Sequence, residues 1–470
     1  MRRLTSTIAI FVALAVAAGL AAACSLPSVP GAPTPTPVSV VGAPTSTQSP
    51  ARTPTPQSVA ATATPRPDSA CASGPGGDVA YLAVGLLAPL SQAQVWPRAI
   101  ALQAGASIAL EELNGAGGLL GKPVRLISLD TQGNPDLAAT LAEQLIVESC
   151  AFGLIGGIGA ETTAIAAVSE RYGVPFLVAE TAEDSLTAGQ LATLFRIGPA
   201  TTQIEEVTSH WLAEVGDYNG DGSVMAVVVA ENSPAGDMAA EQAARQMPAH
   251  GIALETLRVD LPMEDFSPVI ARIVAMEQAP DAIFIHVTGD PGLLLLQQLV
   301  DAGIGPGKGT LLVAGRAALD STRFWQLAPS GELTVVHRRG PWFTSLTDVG
   351  LAFLDKYRLL SNQSPEWPAF AGYDSLYLLA AAATQATTTQ PGALLAALEM
   401  TDVTLAGGRY TFPFGQTNPP DGVTEPAFWW HQWLDPQLLM LQYGAAQQDA
   451  STLDVVWPPI YRTTDGPVLP

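Results

Sequence analysis

Positive charge is scarce in this chain. Only three of its 470 residues are lysines, and 21 Lys and Arg stand against 43 Asp and Glu, which gives a formal net charge of −22 at pH 7. Nucleic-acid-binding proteins need a basic surface that displaces counterions from phosphates. The composition therefore excludes DNA and RNA as partners and predicts a soluble, self-repelling surface.

Cysteines and the short motifs of catalysis are also rare. The chain has three cysteines, and its five histidines are scattered without the spacing of a metal site. His286 lies within an apolar run, so we interpret it as a satisfied core residue. No GxSxG, HExxH or phosphate-loop pattern occurs, and residues 156–159 match a dinucleotide fingerprint too loosely. We therefore predict no enzymatic activity and no cofactor.

The amino terminus has the pattern of a targeting segment. Arg2 and Arg3 precede the apolar run 8–23, which is short for a membrane span and ends in small residues. Cys24 follows directly, in the position of the acylated cysteine of bacterial lipoproteins, although the usual leucine three residues before it is absent. We predict a signal peptide at 1–23 and a lipid anchor at Cys24. An ordinary secretory signal is the alternative.

Aromatic residues are missing from the next segment. Residues 25–70 contain eleven prolines and no aromatic side chain, and such a segment cannot bury enough surface to offset its chain entropy. Proline-rich chains extend by about 3.1 Å per residue, so the segment reaches on the order of 100 Å. Residues 24–70 are therefore predicted to be a disordered tether that holds a globular body off a membrane, outside the cytoplasm.

From residue 79 onward the chain alternates strand-like and helix-like runs. The first unit is an apolar run at 79–89, an amphipathic run at 100–113 that ends in glycines, and an apolar run at 124–129. Strand, helix and strand in this order predict a right-handed crossover and a parallel sheet. A second series of this kind begins at residue 202. We therefore predict an α/β protein of two lobes with a cleft between them.

The later part of the chain is less regular. Helices are predicted at 343–360, 373–385 and 394–400. The strand-like runs 409–412 and 428–433 are expected to complete the earlier sheets. The tail after residue 445 is either docked or loose.

The two remaining cysteines stand before strand-like runs. Cys71 precedes the first of these runs, and Cys150 precedes the run at 152–158. If the two strands are neighbours, both cysteines lie at the amino edge of one sheet. We predict a disulfide bond between them, with two buried thiols as the alternative.

Residues 217–223 match the first half of a calcium-binding loop. Asp217, Asn219 and Asp221 occupy positions one, three and five, and glycine occupies position six. Position twelve is Val228, so the bidentate glutamate is missing. The same residues are turn formers. We favour a helix-to-strand turn and keep calcium as the weaker alternative.

Seven short motifs follow one another through the globular part. They are 84–89, then 104–106 continued by 111–114 and 117–118, then 154–157, 173–176, 195–196, 302–304 and 372–375. Their order resembles that of type I periplasmic substrate-binding proteins of ABC transporters, in the branched-chain amino-acid and amide group, over roughly residues 79–433. The resemblance implies two Rossmann-like lobes joined by three crossing strands. Lobe 1 would comprise 79–198 with 342–415, lobe 2 would comprise 201–338 with 418–440, and 441–470 would be an extension.

The resemblance also implies a hinged cleft that closes on a small solute. Ligands of open α/β sheets lie beyond the carboxyl ends of the strands, where helix N-termini offer N–H groups. In lobe 1 the family's first carboxylate loop matches 159–163, with the Thr162 hydroxyl and the backbone of Ala160 and Glu161 as candidate ligand contacts. The second such loop matches 180–182, where Thr181 would replace a threonine expected near Ala182.

The remaining site candidates depart further from the family. Trp96 falls near an aromatic that covers the ligand, with core packing as the alternative. The second lobe contributes Glu231, Thr288, Asp290 and Arg316. The family's acidic partner for an ammonium group aligns near Arg316, and a guanidinium there would repel ammonium and attract carboxylate.

Two interpretations of this replacement stay open. One of four acids takes the ammonium group, or the solute lacks one; the four acids are Glu161, Glu180, Glu231 and Asp290. Each of them is alternatively a solvated loop charge or a helix cap.

The sequence thus predicts an extracytoplasmic solute-binding lipoprotein of an ABC importer. It would capture a small polar solute, an amino acid, amide or carboxylate, by hinge closure and deliver it to a membrane permease. The lipid anchor would be its only contact with the membrane. A sensory module on the same fold is the alternative, and a hydrolase is disfavoured because no nucleophile–base pair is visible.

Overall fold

A computed structural model describes residues 80–92, 96–319 and 321–467. The side chains of Trp96, Arg316, Ala317, Ser321 and Thr322 lie outside the description. The predicted signal peptide, Cys24, the tether and Cys71 also lie outside the described residues. All the described elements belong to one compact unit. None of the helices in the described ranges is long and apolar enough to cross a membrane.

Lobe 1 is built on a five-stranded parallel sheet with the order β2-β1-β3-β4-β5. The strands are β1 (Leu82–Ala88), β2 (Val124–Asp130), β3 (Ala151–Gly156), β4 (Phe176–Val178) and β5 (Leu194–Arg196). The connecting helices are α1 (Trp96–Gly115), α2 (Pro135–Val147), α3 (Glu161–Tyr172) and α4 (Asp184–Ala188). Four of the five strands are buried along their whole length, as helices on both faces of a parallel sheet require.

Lobe 2 contains a seven-stranded sheet with the order β14-β13-β10-β9-β8-β6-β7. The strands are β6 (Met225–Glu231), β7 (Ala253–Val259), β8 (Ala282–His286), β9 (Leu311–Ala314), β10 (Val335–Arg339), β13 (Leu438–Gln442) and β14 (Asp454–Trp457). The helices are α5 (Thr201–Val215), α6 (Pro234–Ala249), α7 (Ser267–Val274), α8 (Asp290–Asp301) and α9 (Ser321–Leu327). β6 to β10 are parallel, whereas β13 and β14 are antiparallel additions at one edge.

After β10 the chain returns to lobe 1. It forms α10 (Asp348–Ser361), α11 (Trp367–Ala386), α12 (Pro391–Glu399) and a hairpin of β11 (Asp402–Thr404) and β12 (Arg409–Thr411). Side chains of these helices share one apolar core with β1 and α1. The two-lobed α/β fold predicted from the sequence is thereby confirmed.

Two crossing segments are tied together beside β5. The N–H of Arg196 donates to the carbonyl of His431 (2.9 Å), and the N–H of Trp433 donates to the carbonyl of Arg196 (3.0 Å). The Gln432 amide donates to the carbonyl of Gly198 (2.9 Å) and to the side chain of Gln203 (3.0 Å). These bonds join the segment leaving lobe 1 to the segment returning late in the chain.

The late strands differ from the prediction. Residues 409–411 form a strand, but it pairs with β11 in a separate two-stranded sheet and completes neither large one. Residues 427–429 form a short 3-10 helix, and Gln432 makes a single bridge to Arg196. The strand predicted at 428–433 is therefore wrong, because its aromatic side chains are buried by packing; Trp433 stacks between Trp367 and Tyr410.

The tail after residue 445 is docked. Residues 454–457 pair with β13 as an edge strand, and Val455 and Val456 are buried. The sequence left this point open.

Cys150 forms a disulfide bond. It immediately precedes β3, and β3 pairs with β1, so the residues before both strands lie at the same edge of the sheet. Pairing with Cys71 stays a prediction, since Cys71 lies outside the described residues.

Candidate ligand-binding site

Two loops at the carboxyl edge of the lobe 1 sheet meet through a pair of threonines. The Oγ1 atoms of Thr162 and Thr181 lie 2.7 Å apart, and both side chains are buried. The N–H of Gly159 donates to Thr181 Oγ1 (3.1 Å), while the Thr162 hydroxyl donates to the carbonyl of Gly159 (2.8 Å). These bonds hold the loops 157–163 and 180–182 together. The two residues Thr162 and Thr181 are called here the threonine pair.

A glycine makes this close approach possible. Gly157 has a φ of +83°, and a Cβ there would lie 2.9 Å from Cγ1 of Val178. Glycine adopts this left-handed conformation without steric cost. The carbonyl of Gly157 accepts a bond from the Thr181 hydroxyl (3.1 Å).

The threonine hydroxyls bond within the protein, and the N–H of Thr162 donates to the carbonyl of Gly159 (3.2 Å). The groups that this loop can still offer to an acceptor are the other backbone N–H groups at the start of α3. Helix α3 begins at Glu161, and its N-cap residue is the exposed Ala160, whose methyl group accepts no hydrogen bond. The first N–H groups of a helix have no partner within the helix and carry a partial positive charge. The loop therefore offers an N-terminus to an acceptor oxygen, with the threonine pair fixing its position.

Glu180 is neutralised by an arginine that the sequence interpretation missed. Arg98 Nη1 lies 3.2 Å from Glu180 Oε2, and the Glu180 side chain is only 2% exposed. Arg98 is in the first turn of α1, two residues after Trp96. A basic residue in the first turn of the helix that follows β1 was the signal from which this pairing could have been suspected. Glu180 is thus part of an internal ion pair.

Glu161 is the first residue of α3, and its side chain is buried in lobe 1. The Thr131 hydroxyl donates to its Oε2, whereas Oε1 has no hydrogen-bond partner among the described residues. Burial raises the pKa of Glu161 to about 7, and the nearby charge of Asp130 acts in the same direction. At pH 7 this carboxyl group is therefore about half protonated in the folded protein, whereas an exposed glutamate would be ionised.

The Glu161 carboxyl should make stability pH-dependent. Its pKa is about 7 in the folded protein and 4.5 when the group is exposed. The stabilisation of the folded state by this proton is therefore complete below pH 4.5 and is lost as the pH rises through 7. Between pH 5 and pH 8 we expect the free energy of unfolding of the wild-type protein to fall by about 2 kcal/mol more than that of Glu161→Gln. The measurement is urea unfolding at both pH values.

The control for this pH dependence is Glu148→Gln, at an exposed position. It should follow the wild-type pH profile. A Glu161→Gln profile as steep as that of wild type would show that this carboxyl is not protonated by burial.

Lobe 2 places Glu231 and Thr288 together at the ends of β6 and β8. The N–H and hydroxyl of Thr288 both donate to Glu231 Oε2 (2.8 Å each), and the Ser233 hydroxyl donates to Oε1 (2.7 Å). Burial on its own would raise the pKa of Glu231, but these donors outweigh it and the pKa is lowered. Glu231 is an ionised carboxylate with both oxygens in use.

Asp290 is bound by Arg323. The Nε of Arg323 donates to Asp290 Oδ1 (2.7 Å), and its Nη2 contacts Oδ2. Asp290 begins α8, where a negative charge is favourable. Of the four acids proposed as ammonium partners, three are thus engaged by Arg98, by Thr288 with Ser233, and by Arg323. Glu161 keeps one oxygen without a partner in the described part of the chain, but its raised pKa disfavours a charge there.

The sequence interpretation also missed a polar cluster in lobe 2, formed by Glu205, His286 and His337 beside Arg339. Glu205 of α5 lies near His286, the last residue of β8, with Glu205 Oε1 and His286 Nε2 3.9 Å apart. His337 and Arg339 of β10 lie close enough to influence the pKa values of the cluster. His286 Nε2 has no hydrogen-bond partner among the described residues. Its interpretation as a satisfied core residue is therefore wrong, because a strand end exposes the ring edge to other polar groups.

The loop at 217–223 has the contacts of a turn. The Asp217 carboxylate accepts bonds from the N–H groups of Gly220 (2.7 Å), Asp221 (3.0 Å) and Gly222 (2.8 Å). Asn219 Oδ1 accepts a bond from the N–H of Asp221 (2.9 Å). Across the described ranges, no group of three or more His, Cys, Asp or Glu side chains could hold a metal ion. Calcium binding by this loop stays a weak prediction.

Solved structures share this architecture. An isoleucine complex of the branched-chain amino-acid transporter substrate-binding protein LivJ from Streptococcus pneumoniae has a TM-score of 0.62 and 20% identity, covering 80% of this chain and 100% of that chain. An ABC transporter substrate-binding protein from Sphaerobacter thermophilus has a TM-score of 0.65 and 21% identity, covering 80% and 96%. An ABC transporter solute-binding protein from R. palustris in complex with benzoate has a TM-score of 0.58 and 19% identity, covering 77% and 93%.

Sequence comparison defines the family. No curated protein shows significant similarity to the chain. The family model described as periplasmic binding protein matches residues 82–428, which is most of the chain. The two lobes, the crossing segments and this match agree, and the chain belongs to the periplasmic binding protein family.

Proposed function

We propose that this protein is the extracytoplasmic solute receptor of an ABC importer, held at the membrane by a lipid on Cys24. The observation that carries the proposal is the threonine pair at the N-terminus of α3, at the carboxyl edge of the sheet of one of two lobes. Such a site binds a solute without chemistry. Closure of the lobes is driven only by the solute's additional affinity for the closed form, which a membrane permease recognises.

The site favours a solute that carries an acceptor oxygen and no ammonium group. The helix N-terminus suits a carboxylate or an amide oxygen. Glu180, Glu231 and Asp290 already bond to donors of the protein, so an ammonium group would compete with these donors. The benzoate bound by the R. palustris protein is a carboxylate without an ammonium group, and a solute of that class fits the groups found here.

The test is a thermal-shift screen of the full chain, confirmed by calorimetric titration. The panel contains leucine, glutamine, benzoate, pentanoate, acetamide and urea. A solute at a hundredfold excess over its Kd stabilises the folded state by about 2.7 kcal/mol. We expect a shift with a carboxylate that lacks an ammonium group. A shift only with the free amino acids would contradict the proposed solute class, and no shift with any member would argue for a sensor or protein-binding module.

The Thr181→Val substitution should weaken binding of the solute found in this screen. It removes the hydroxyl that accepts the Gly159 N–H and so leaves the helix N-terminus less fixed. We expect the Kd to rise about tenfold, which corresponds to about 1.4 kcal/mol. The matched control is Thr140→Val, at an exposed position of α2 outside the proposed site. Equal affinities of the two variants would remove the threonine pair from the binding site.

A further inference from the structure

The polar cluster of lobe 2 lies on the side of the lobe where the chain crosses to and from lobe 1. His286 is the last residue of β8, and its side chain is 28% exposed. Glu205 lies behind it on α5, whose first residue comes directly after the crossing segment 197–200. β10, with His337, leads into the next crossing segment at Gly340. Three elements that meet at the hinge side of lobe 2 therefore supply this cluster.

Three polar atoms of the cluster are buried without a hydrogen bond. Glu205 Oε2, His286 Nε2 and His337 Nε2 have no partner within the described residues, and the Glu205 side chain is only 3% exposed. A buried polar group left unbonded costs about 1–3 kcal/mol. The sequence concentrates three such groups in one place, whereas native proteins bond nearly all buried polar atoms. A ligand group is a natural partner for them.

The spacing admits one further polar atom. His286 Nε2 and Glu205 Oε1 lie 3.9 Å apart, which is too far for a direct hydrogen bond. A single oxygen or nitrogen can lie about 2.8 Å from both atoms at once. A hydroxyl or carboxamide can donate to one of these partners and accept from the other.

The charge state of the cluster favours an uncharged ligand group. Burial raises the pKa of Glu205 to about 8, with the positive charge of Arg339 opposing this shift. Burial lowers the pKa of His286 to about 4 and that of His337 to about 3, the latter helped by Arg339 and His286. At neutral pH Glu205 is therefore mostly protonated and both imidazoles are neutral, so these three groups offer hydrogen bonds without a charge of their own, and Arg339 supplies the nearby positive charge.

We propose that Glu205 and His286 bind an uncharged polar group of the solute, a hydroxyl or a carboxamide, while its acceptor oxygen lies at the N-terminus of α3. This inference rests on the proposed function and adds the substrate class. The solute would be a small carboxylate or amide whose far end carries a hydroxyl or carboxamide. A resident metal ion is not required, because no metal-binding group of three such side chains exists among the described residues.

The experiment uses four carboxylates with the same five-carbon chain that differ only at one end. They are pentanoate, 5-hydroxypentanoate, glutaramate and glutarate, ending in methyl, hydroxyl, carboxamide and carboxylate. Each is titrated into the full chain, as wild type and as Glu205→Ala. We expect the wild type to bind 5-hydroxypentanoate or glutaramate at least tenfold more tightly than pentanoate and glutarate. Glu205→Ala should lose this preference.

Two further variants separate binding from folding. Glu206→Ala changes the adjacent, exposed residue of the same helix and should keep the wild-type preference. Glu205→Gln keeps the side-chain size and one acceptor, so it should keep part of the preference. Thermal unfolding without solute shows whether each variant is folded.

The outcomes distinguish the inference from the function on which it rests. If wild type binds all four solutes equally, or prefers the methyl or carboxylate end, or if Glu205→Ala keeps the preference, the inference fails and the receptor function stands. Binding of leucine or benzoate without any of the four solutes also overturns it. If no solute of either panel binds, the proposed function fails together with the inference.

Discussion

Replacing Gly372 with alanine is expected to destabilise the protein by about 4 kcal/mol or more. Gly372 lies in α11 where this helix packs against α1, and a Cβ there would lie 1.9 Å from the carbonyl oxygen of Leu102. The contact is reciprocal, since a Cβ at Gly105 would lie 1.9 Å from the carbonyl oxygen of Ala369. Two helix backbones cannot move apart locally without opening the core of lobe 1. The measurement is the free energy of unfolding in urea.

The matched control is Gly392→Ala in α12. A Cβ at Gly392 would have no heavy atom within 4 Å, and alanine has a higher helix propensity than glycine. We expect this variant to be unchanged or more stable by up to about 1 kcal/mol. If Gly372→Ala unfolds at the same urea concentration as Gly392→Ala, the helices do not pack this closely.

Gly105 and Gly372 help to explain why the fold could be predicted from the sequence. Residues 104–106 and 372–375 are among the motifs that carry the family resemblance, and the structure places them at one helix–helix contact. Backbone contact admits only glycine at such positions, so these short motifs mark a packing constraint that can be seen in a single sequence. The continuous apolar runs predict the parallel strands for a similar reason, because a strand buried on both faces tolerates few polar residues.

The candidate site could be predicted only in part. Its loops follow strand ends, and neighbouring parallel strands bring 157–163 and 180–182 to the same edge, as the threonine pair shows. The state of the acids could not be predicted in this way. Glu180 pairs with Arg98, 82 residues earlier, and Asp290 pairs with Arg323, 33 residues later. Such partners are set by tertiary packing and leave no local pattern in the sequence.

The strands β13 and β14 were not predicted from the sequence, for the same physical reason. β13 is a buried run of five residues, and its role as a strand depends on pairing with β10, more than 95 residues earlier. Apolar content alone does not distinguish such a run from the aromatic segment at 427–433. That segment is buried by ring packing and forms no strand.

Replacing Asp374 with alanine is expected to destabilise the protein by about 3 kcal/mol or more. Asp374 is fully buried in α11. Its Oδ1 accepts the N–H of Ala406 (2.9 Å), and its Oδ2 accepts the N–H of Gly407 (2.6 Å) and the hydroxyl of Tyr410 (2.7 Å). Alanine would leave these three donors buried without an acceptor, and the turn between β11 and β12 would lose its attachment to the helix.

Two variants test whether the acceptors or the volume matter. Asp355→Ala removes an exposed aspartate of α10 and should change stability by less than about 0.5 kcal/mol. Asp374→Asn keeps the size but replaces one acceptor oxygen by an NH₂ group, which faces donors and accepts nothing. We therefore expect it to be nearly as unstable as Asp374→Ala in urea unfolding. Wild-type stability of Asp374→Asn would mean that the side chain fills space only. Because Tyr410 also stacks on Trp433 of the late crossing segment, loss of this network should loosen the connection between the lobes as well as lobe 1 itself.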